Sequence, residues 1–126
     1  MSITPFDYTT SGECHGPGLT TIIKNIPAGF KIDLEKINFQ LARRQKGYGR
    51  GGRMKIEKDK VQVMAGIRSE ETTGSPVCLF IPNKDFKNWE GKEVPDFTRP
   101  RPAHADLVGG IKYRRKDLRD ILERSS

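Results

Sequence analysis

A run of glycine and arginine in the middle of the chain constrains the fold more than any other segment. Residues 46–53 read KGYGRGGR and hold four glycines in eight positions. Glycine loses more conformational freedom on folding than other residues, which weakens both helices and strands. This segment is therefore predicted to be a loop, and the regular elements must lie on either side of it.

Before this loop, the sequence predicts one strand and one helix. Residues 19–24 (LTTIIK) are rich in β-branched side chains, which favour a strand, and the IPAG that follows at residues 26–29 favours a turn. Asp33 is predicted to cap a helix that runs to about Arg44. The spacing of the apolar positions gives that helix one apolar face, formed by Leu34, Ile37 and Leu41.

After the loop, two more strands are predicted, over residues 61–67 (VQVMAGI) and 77–81 (VCLFI), with a polar turn at 69–76 between them. Residues 82–102 carry four prolines among charged residues and are predicted to form a long loop. A final helix is predicted from about Asp117, with its apolar face formed by Leu118, Ile121 and Leu122. The order is β-α-β-β, and the fold class is α+β.

Composition limits the size of the core and the number of domains. Hydrophobic residues make up 34% of 126 residues, which permits a thin core and one domain over residues 1–126. The pattern of the last helix reaches the final residues without a glycine or proline stop, so we expect this domain to be part of a larger one. No apolar run approaches the roughly 18 residues of a membrane span, and residues 1–10 do not resemble a signal peptide. A cytoplasmic protein without membrane contact is the expectation.

The two cysteines are interpreted as reduced thiols. Cys14 and Cys78 lie far apart in sequence and have no CxxC or Cys/His spacing around them. Neither a disulfide nor a metal site is predicted.

Positive charge is in excess and clustered. Lys and Arg number 23 against 16 Asp and Glu, a formal net charge of +7. The clusters lie at residues 43–55, 99–104 and 112–119. Such patches indicate an anionic partner, which is a phosphorylated small molecule, a nucleic acid or an acidic surface.

The densest cluster, residues 41–55, contains six cations and no acid. A guanidinium donates two parallel hydrogen bonds to phosphate or carboxylate, and the glycines let the backbone close around a ligand. Two alternatives remain open: a solvated basic hairpin, and a nucleic-acid-binding segment in which Tyr48 stacks on a base.

Both histidines lie in segments marked by glycine or proline. His15 lies in SGECHGPG (11–18) and His104 in RPRPAHAD (99–106). An imidazole changes charge near neutral pH, so each is a candidate general acid, although a merely solvated or hydrogen-bonded histidine is the alternative. Cys14 beside His15 is a poor nucleophile–base pair, because adjacent residues of an extended segment point to opposite sides.

Several long motifs in a fixed order resemble the amino-terminal third of chorismate synthase, from about Thr10 onward. The motifs are SGECHGPG (11–18), IPAG (26–29), RRQKGYGRGGRM (43–54), ETTGSP (71–76), RPAHADL (101–107) and ERSS (123–126). The resemblance implies a homotetramer with a β-α-β sandwich fold. It also implies a 1,4-elimination that converts 5-enolpyruvylshikimate 3-phosphate to chorismate and phosphate. Reduced FMN is required without net redox change, and either NADPH or a separate flavin reductase supplies the reducing equivalents.

The resemblance also implies residue roles. His15 matches a histidine that protonates the departing phosphate, and His104 one that protonates the flavin. The residues implied to hold the anionic substrate or NADPH are Arg44, Arg50 and Arg53. Those implied to contact the flavin are Arg124, Ser125 and Ser126.

This sequence departs from the family pattern at three places. Cys14 stands where serine is usual, Ala103 where glycine is usual, and Ser69-Glu70 where a pair ending in glycine is common. Family chains are also longer, so we expect the isolated chain to be nearly inactive. The alternative function is a non-catalytic basic domain that binds nucleic acid or other polyanions through the Arg/Gly-rich loop.

Overall fold

The computed structural model describes residues 5–46, 59–92 and 97–124, which group into two compact units. The first, called the sheet unit, comprises Met1–Ser11 and Gly18–Pro82. The second, called the helical unit, comprises Gly12–Pro17 and Asn83–Ser126. The single domain expected from the sequence stays a prediction.

Strands and helices are mixed along the chain, which confirms the α+β class. The elements are β1 (Asp7–Ser11), β2 (Gly18–Lys24), α1 (Leu34–Gln45), β3 (Gln62–Ala65), β4 (Ile67–Arg68), β5 (Glu71–Thr72), β6 (Val77–Pro82), α2 (Phe86–Trp89), α3 (Asp106–Tyr113) and α4 (Arg119–Arg124). The predicted β-α-β-β order is present as β2, α1, β3 and β6. Across the described residues, none of the helices is long and apolar enough to cross a membrane.

The sheet unit is built on a four-stranded antiparallel sheet in the order β1-β2-β6-β3. Thr10 of β1 pairs with Thr21 of β2, and Thr20 of β2 pairs with Phe80 of β6. β2 and β6 each match their predicted strands to within one residue at either end. β1 was not predicted, because all five of its residues are exposed and show no alternation of apolar and polar positions.

The single strand predicted over residues 61–67 is wrong, because Gly66 divides it. Gly66 has a φ of 87°, which favours glycine, and a Cβ at this position would lie 2.4 Å from the carbonyl oxygen of Pro76. β3 therefore ends before Gly66, and β4 begins a separate two-stranded hairpin with β5. This hairpin occupies part of the segment that was predicted to be turn alone.

The turn of the β4-β5 hairpin consists of Ser69 and Glu70. Arg68 pairs directly with Glu71 across it, and both turn residues have positive φ, 51° and 65°. Two positive φ values are the mark of a type I′ turn, in which Asn-Gly and Asp-Gly are preferred. The family departure at Ser69-Glu70 thus places two L side chains in a backbone conformation that favours glycine.

Buried Thr72 fixes the turn that follows β2. Its side chain is almost fully covered, and its hydroxyl accepts a hydrogen bond from the backbone N–H of Phe30 and donates one to the carbonyl of Pro27. Its carbonyl oxygen also accepts from the N–H of Gly29. The predicted turn at residues 26–29 is therefore held by a threonine more than forty residues away in sequence.

α1 begins and ends close to its predicted limits. The Asp33 carboxylate accepts hydrogen bonds from the N–H groups of Glu35 and Lys36, which confirms the predicted cap. Along the half-buried face of the helix, Asn38 Oδ1 accepts from the N–H of Val61 at 2.8 Å, and Gln45 Oε1 accepts from the N–H of Asp59 at 3.1 Å. The chain that leads into β3 is thereby bound to α1.

The helical unit contains α2, α3 and α4. α2 lies within residues 82–102, where a long loop or surface excursion is predicted, so that prediction is wrong for Phe86–Trp89. α3 was not predicted, because two adjacent glycines disfavour a helix when only the sequence is considered. In the structure they allow close packing, since a Cβ on Gly109 would lie 2.4 Å from Ile121 Cγ2 and one on Gly110 would lie 2.8 Å from Leu118 Cδ2.

The final helix is confirmed. Asp117 Oδ1 accepts a hydrogen bond from the N–H of Arg119, the first residue of α4, at 3.1 Å. The side chain of Arg119 bonds to the same carboxylate and lowers the pKa of Asp117. Leu118 and Ile121 are each 3% exposed and form the apolar contact of this helix.

Gly109→Ala is expected to destabilise the protein. At an ordinary helix position this change stabilises by about 1 kcal/mol, but here the added methyl meets Ile121, and overpacking typically costs about 1–3 kcal/mol. Val108→Ala, at an exposed position of the same helix, is the control and should change stability by less than about 0.5 kcal/mol. Thermal unfolding measures both, and a higher midpoint for Gly109→Ala would contradict the close packing of α3 on α4.

Candidate active site

The loop that carries His15 is held by one asparagine. Asn83 donates from its backbone N–H to the carbonyl of Pro17 at 2.8 Å, and from Nδ2 to the carbonyl of Gly16 at 2.9 Å. The N–H of Gly16 in turn donates to the carbonyl of Glu13. These bonds give residues 12–17 a defined shape, as the glycines and proline in this segment predicted.

Glu123 of α4 contacts His15 through both carboxylate oxygens. Its Oε1 lies 2.6 Å from Nδ1 of the imidazole, and its Oε2 accepts a hydrogen bond from the His15 backbone N–H at 2.9 Å. Its carbonyl oxygen accepts from the N–H of Cys14 at 3.1 Å. The side chains of His15 and Glu123 are only 18% and 22% exposed, so water competes weakly for these bonds.

An ion pair between Arg101, whose side chain is 38% exposed, and buried Asp106 closes the loop that carries His104. Asp106, the first residue of α3, is completely buried. Its Oδ2 accepts from the N–H and Nε of Arg101 at 2.8 and 2.9 Å, and its Oδ1 accepts from Nη2 at 3.0 Å. The hydrogen bonds from Arg101 lower the pKa of Asp106 to about 2, although burial alone would raise it.

His104 lies inside this closed loop and is exposed. Its Nδ1 lies 2.8 Å from the carbonyl oxygen of Pro102. A carbonyl oxygen only accepts hydrogen bonds, so Nδ1 carries the proton and Nε2 carries the lone pair of the neutral ring. Nε2 is therefore the atom through which His104 gains or gives a proton.

Ala103, next to His104, has a φ of 58°. This value lies in the left-handed region, which an L residue enters at a cost and glycine enters freely. The family departure at this position therefore puts a methyl group where the backbone favours glycine.

Arg124 lines a cleft of about 460 Å³ within the helical unit. Its guanidinium carbon lies 4.3 Å from the centre of the Tyr113 ring, and its Nη2 donates to the Tyr113 hydroxyl at 2.8 Å. Hydrogen bonding from Lys112, together with the charge of Arg124, lowers the pKa of Tyr113. The described residues that line the cleft are Glu13, Tyr113, Arg115, Asp120, Ile121, Glu123 and Arg124.

The predicted site residues fall in different parts of the molecule. His15, His104 and Arg124 belong to the helical unit, and there His15 is bound to the residue that precedes Arg124. Arg44 is an exposed residue in the last turn of α1, in the sheet unit. Arg50 and Arg53 of the Arg/Gly-rich loop, and the terminal Ser125 and Ser126, lie outside the described residues.

Four residues that support the histidines were not assigned a role from the sequence. Arg101 and Asp106 flank His104 within one motif. A cation and a carboxylate on either side of a histidine could have indicated an ion pair around it. Glu123 and Asn83 had no such signal, because Glu123 is 108 residues from His15 and Asn83 is 67 residues from Gly16.

Comparison with known proteins identifies the family. The chorismate synthase family model matches residues 6–126, so this chain belongs to the chorismate synthase family. The chorismate synthase of Caldanaerobacter subterraneus subsp. tengcongensis is 56% identical over 119 residues, and that of Thermoanaerobacter pseudethanolicus is 59% identical over the same length. Each alignment covers 94% of this chain and 34% of the relative. The chorismate synthase of Aquifex aeolicus is 54% identical, with 100% of this chain and 34% of the relative covered.

A solved structure agrees with these matches. A crystal structure of chorismate synthase superposes with a TM-score of 0.70 at 40% identity, covering 97% of this chain and 29% of that chain. The resemblance drawn from the motifs is confirmed. The chain spans about a third of the length of the curated relatives it matches, as expected for part of a family chain. The alternative of a nucleic-acid- or polyanion-binding domain gains no support from these relatives.

Ala103→Gly is expected to stabilise the protein by about 0.5–1 kcal/mol. Relief of the left-handed conformation is worth about 1–2 kcal/mol, and the greater freedom of glycine in the unfolded chain offsets about 0.4–1 kcal/mol of that. Ala105→Gly is the matched control, since Ala105 has a φ of −77° and should only lose stability. Thermal unfolding of both variants decides the matter; equal losses would contradict the strain at Ala103.

The Arg101–Asp106 ion pair is expected to weaken in acid. The folded-state pKa of Asp106 is about 2, below the roughly 4 of an unfolded aspartate. Its contribution is therefore complete above about pH 4 and is lost as the pH falls toward 2. The unfolding midpoints of the wild type and of Asp106→Asn should converge over this window. A difference that stays constant from pH 6 to about pH 2 would contradict the assignment.

Proposed function

We propose that this chain supplies two proton donors and part of the ligand-binding surface of a chorismate synthase active site. The reaction is the 1,4-elimination of phosphate from 5-enolpyruvylshikimate 3-phosphate, which gives chorismate. The observation that carries the proposal is that, in a chain of this family, both histidine rings are held in fixed orientations by hydrogen bonds within their loops. A solvated histidine needs neither the carboxylate of Glu123 nor the loop closed by Arg101 and Asp106.

His15 is proposed to act on the phosphate. In the elimination the carbon–oxygen bond to phosphate breaks and its electrons leave with the oxygen. A carbon–hydrogen bond at the other end of the conjugated system also breaks; overall its hydrogen leaves as a proton and its electrons form the new double bond. A proton placed on that oxygen, or a cationic imidazole beside it, stabilises the leaving group. With Nδ1 bound to Glu123, Nε2 is the nitrogen from which His15 donates this proton.

The cleft in the helical unit has side chains whose chemistry bears on FMN binding. The cleft around Arg124 offers two guanidinium groups and the carboxylates of Glu13 and Asp120, because the Glu123 carboxylate is bound to His15 and the Tyr113 ring is covered by Arg124. Guanidinium groups donate hydrogen bonds and carboxylates accept them, so the described lining suits a ring that carries both donors and acceptors along its edge. The residues fit the flavin ring on this chemistry.

The chemistry that reduced FMN would supply when bound is a transient electron that is returned to it, so that no net oxidation occurs. Arg124 is proposed to hold the flavin, together with Ser125 and Ser126. His104 is proposed to hold a proton at Nε2 for the reduced flavin, since its Nδ1 is bound to the Pro102 carbonyl. The exposed position of His104 leaves its ring accessible to a ligand.

Arginines are proposed to bind the anionic groups of the substrate. Arg44 projects from an exposed position in the last turn of α1, and Arg50 and Arg53 follow it in the Arg/Gly-rich loop. The same residues are proposed to bind NADPH where the protein reduces its own flavin, and a separate flavin reductase is the alternative source. A homotetramer in a cytoplasmic setting is proposed from the family.

The two histidines are expected to separate by role in a full-length chain that carries this sequence. Loss of a positioned proton donor typically costs about a hundredfold to ten-thousandfold in rate. His104→Ala should bind substrate, turn over slowly and change the pH dependence of the reduced-flavin absorbance. His15→Ala should slow phosphate release and leave that absorbance unchanged.

Turnover and flavin spectra of the two variants, measured side by side, test these roles. Each variant serves as the control for the other, since both remove an imidazole. Full turnover in both variants would refute the proposed function, and an equal disturbance of the flavin in both would refute the separate roles.

A further inference from the structure

Glu123 binds both the backbone and the imidazole ring of His15. One carboxylate oxygen accepts the backbone N–H of His15 at 2.9 Å, which already fixes the loop to α4. The other oxygen lies 2.6 Å from Nδ1 of the ring. Since the Glu123 carbonyl also accepts the N–H of Cys14, the ring contact is not needed to hold the backbone.

The ring contact determines which nitrogen carries the proton. An ionised carboxylate has acceptors and no donor, so Nδ1 must donate to it. In the neutral ring the lone pair is then on Nε2, and on protonation the new N–H forms at Nε2. A carboxylate in this position fixes the tautomer and ring orientation of a histidine.

We propose that Glu123 is a positioning residue that sets the tautomer of His15 and so makes Nε2 the proton-donating atom. This inference rests on the proposed role of His15 in the elimination. Glu123 itself acts only through the histidine and contacts no reacting atom in this assignment.

The charged and titratable groups around this pair come from several elements. Those that line the same cleft as Glu123 are Glu13, Tyr113, Arg115, Asp120 and Arg124. Cys14 precedes His15 in the loop and interacts electrostatically with Arg101. Of these groups, Asp120 is the closest match to Glu123, because it is a carboxylate on the same helix and in the same cleft.

Glu123→Gln is a sharp test because an amide has only one acceptor oxygen. That oxygen is required by the backbone N–H of His15, and the amide NH2 is then left against Nδ1. An NH2 group donates, so it should invert the neutral ring to the tautomer with the proton on Nε2. The shape of the side chain is kept while the proton moves to the other nitrogen.

The tautomer is measured by two-bond ¹H–¹⁵N correlation spectra of ¹⁵N-histidine-labelled full-length protein at about pH 8.5, where an ordinary imidazole is neutral. His15 is assigned by the loss of its signals in His15→Ala. We expect Nδ1–H in the wild type, Nε2–H in Glu123→Gln, and an unchanged Nδ1–H in the control Asp120→Asn. A wild-type spectrum with Nε2–H would overturn the inference, whether or not any variant folds.

Turnover separates positioning from a structural role. Glu123→Gln should lower kcat about a hundredfold to ten-thousandfold with little change in KM, as for loss of the donor itself. In the His15→Ala background it should cause no further loss, whereas a structural role would lower kcat again. An additive loss therefore overturns the inference.

The inference and the proposed function fail in different ways. Full turnover in His15→Ala would refute the role of His15 in the elimination, and the inference that Glu123 serves that role would fall with it. A wrong tautomer, together with slow turnover in His15→Ala, would overturn only the assignment of Glu123.

Discussion

The scarcity of buried hydrophobic side chains determines how this molecule holds its shape. Within the described ranges, the hydrophobic residues that are fully buried are Val77, Leu118 and Ile121. Such a small apolar contribution fixes few loop conformations on its own. The loops are instead held by polar side chains that bind backbone groups: Thr72 in the sheet unit, and Asn83, Asp106 and Glu123 in the helical unit. Thr72 and Asp106 are buried, and a buried polar group is costly unless its bonds are satisfied, so these two contacts specify one arrangement strongly.

The dependence of the loops on contacts between distant residues explains which features could be predicted from the sequence. α1 was found because its cap and its apolar face are local, with Asp33 bonded two and three residues ahead. β6 was found because five consecutive apolar residues follow a turn. α3 was missed because Gly109 and Gly110 disfavour a helix locally, and their value becomes visible only when Ile121 and Leu118 pack against them. Gly66 likewise looks like an ordinary strand residue in the sequence. Its need for glycine becomes visible only in the structure, where the Pro76 carbonyl lies beside it.

The candidate site likewise has one part that the sequence predicts and another that it does not. The two histidine loops were predicted, because glycine and proline near a titratable residue are a local signal. The residues that orient the imidazoles were not predicted, since the bond between His15 and Glu123 joins residues 108 apart. Family motifs named both segments without indicating that one binds the other. Pairing of distant polar residues requires the folded chain.

The two imidazoles differ in the chemistry of their partners, and this difference supports separate roles. Nδ1 of His15 faces a carboxylate, whereas Nδ1 of His104 faces a neutral carbonyl. The acid nearest to His104 in sequence, Asp106, is hydrogen-bonded to Arg101. Both partners orient the ring, but the carboxylate also accepts the backbone N–H of His15, so this imidazole is fixed to α4 at two points. The proposed roles match this difference: the less exposed ring of His15, fixed at two points, is assigned to the departing phosphate, and the exposed ring of His104 to the flavin.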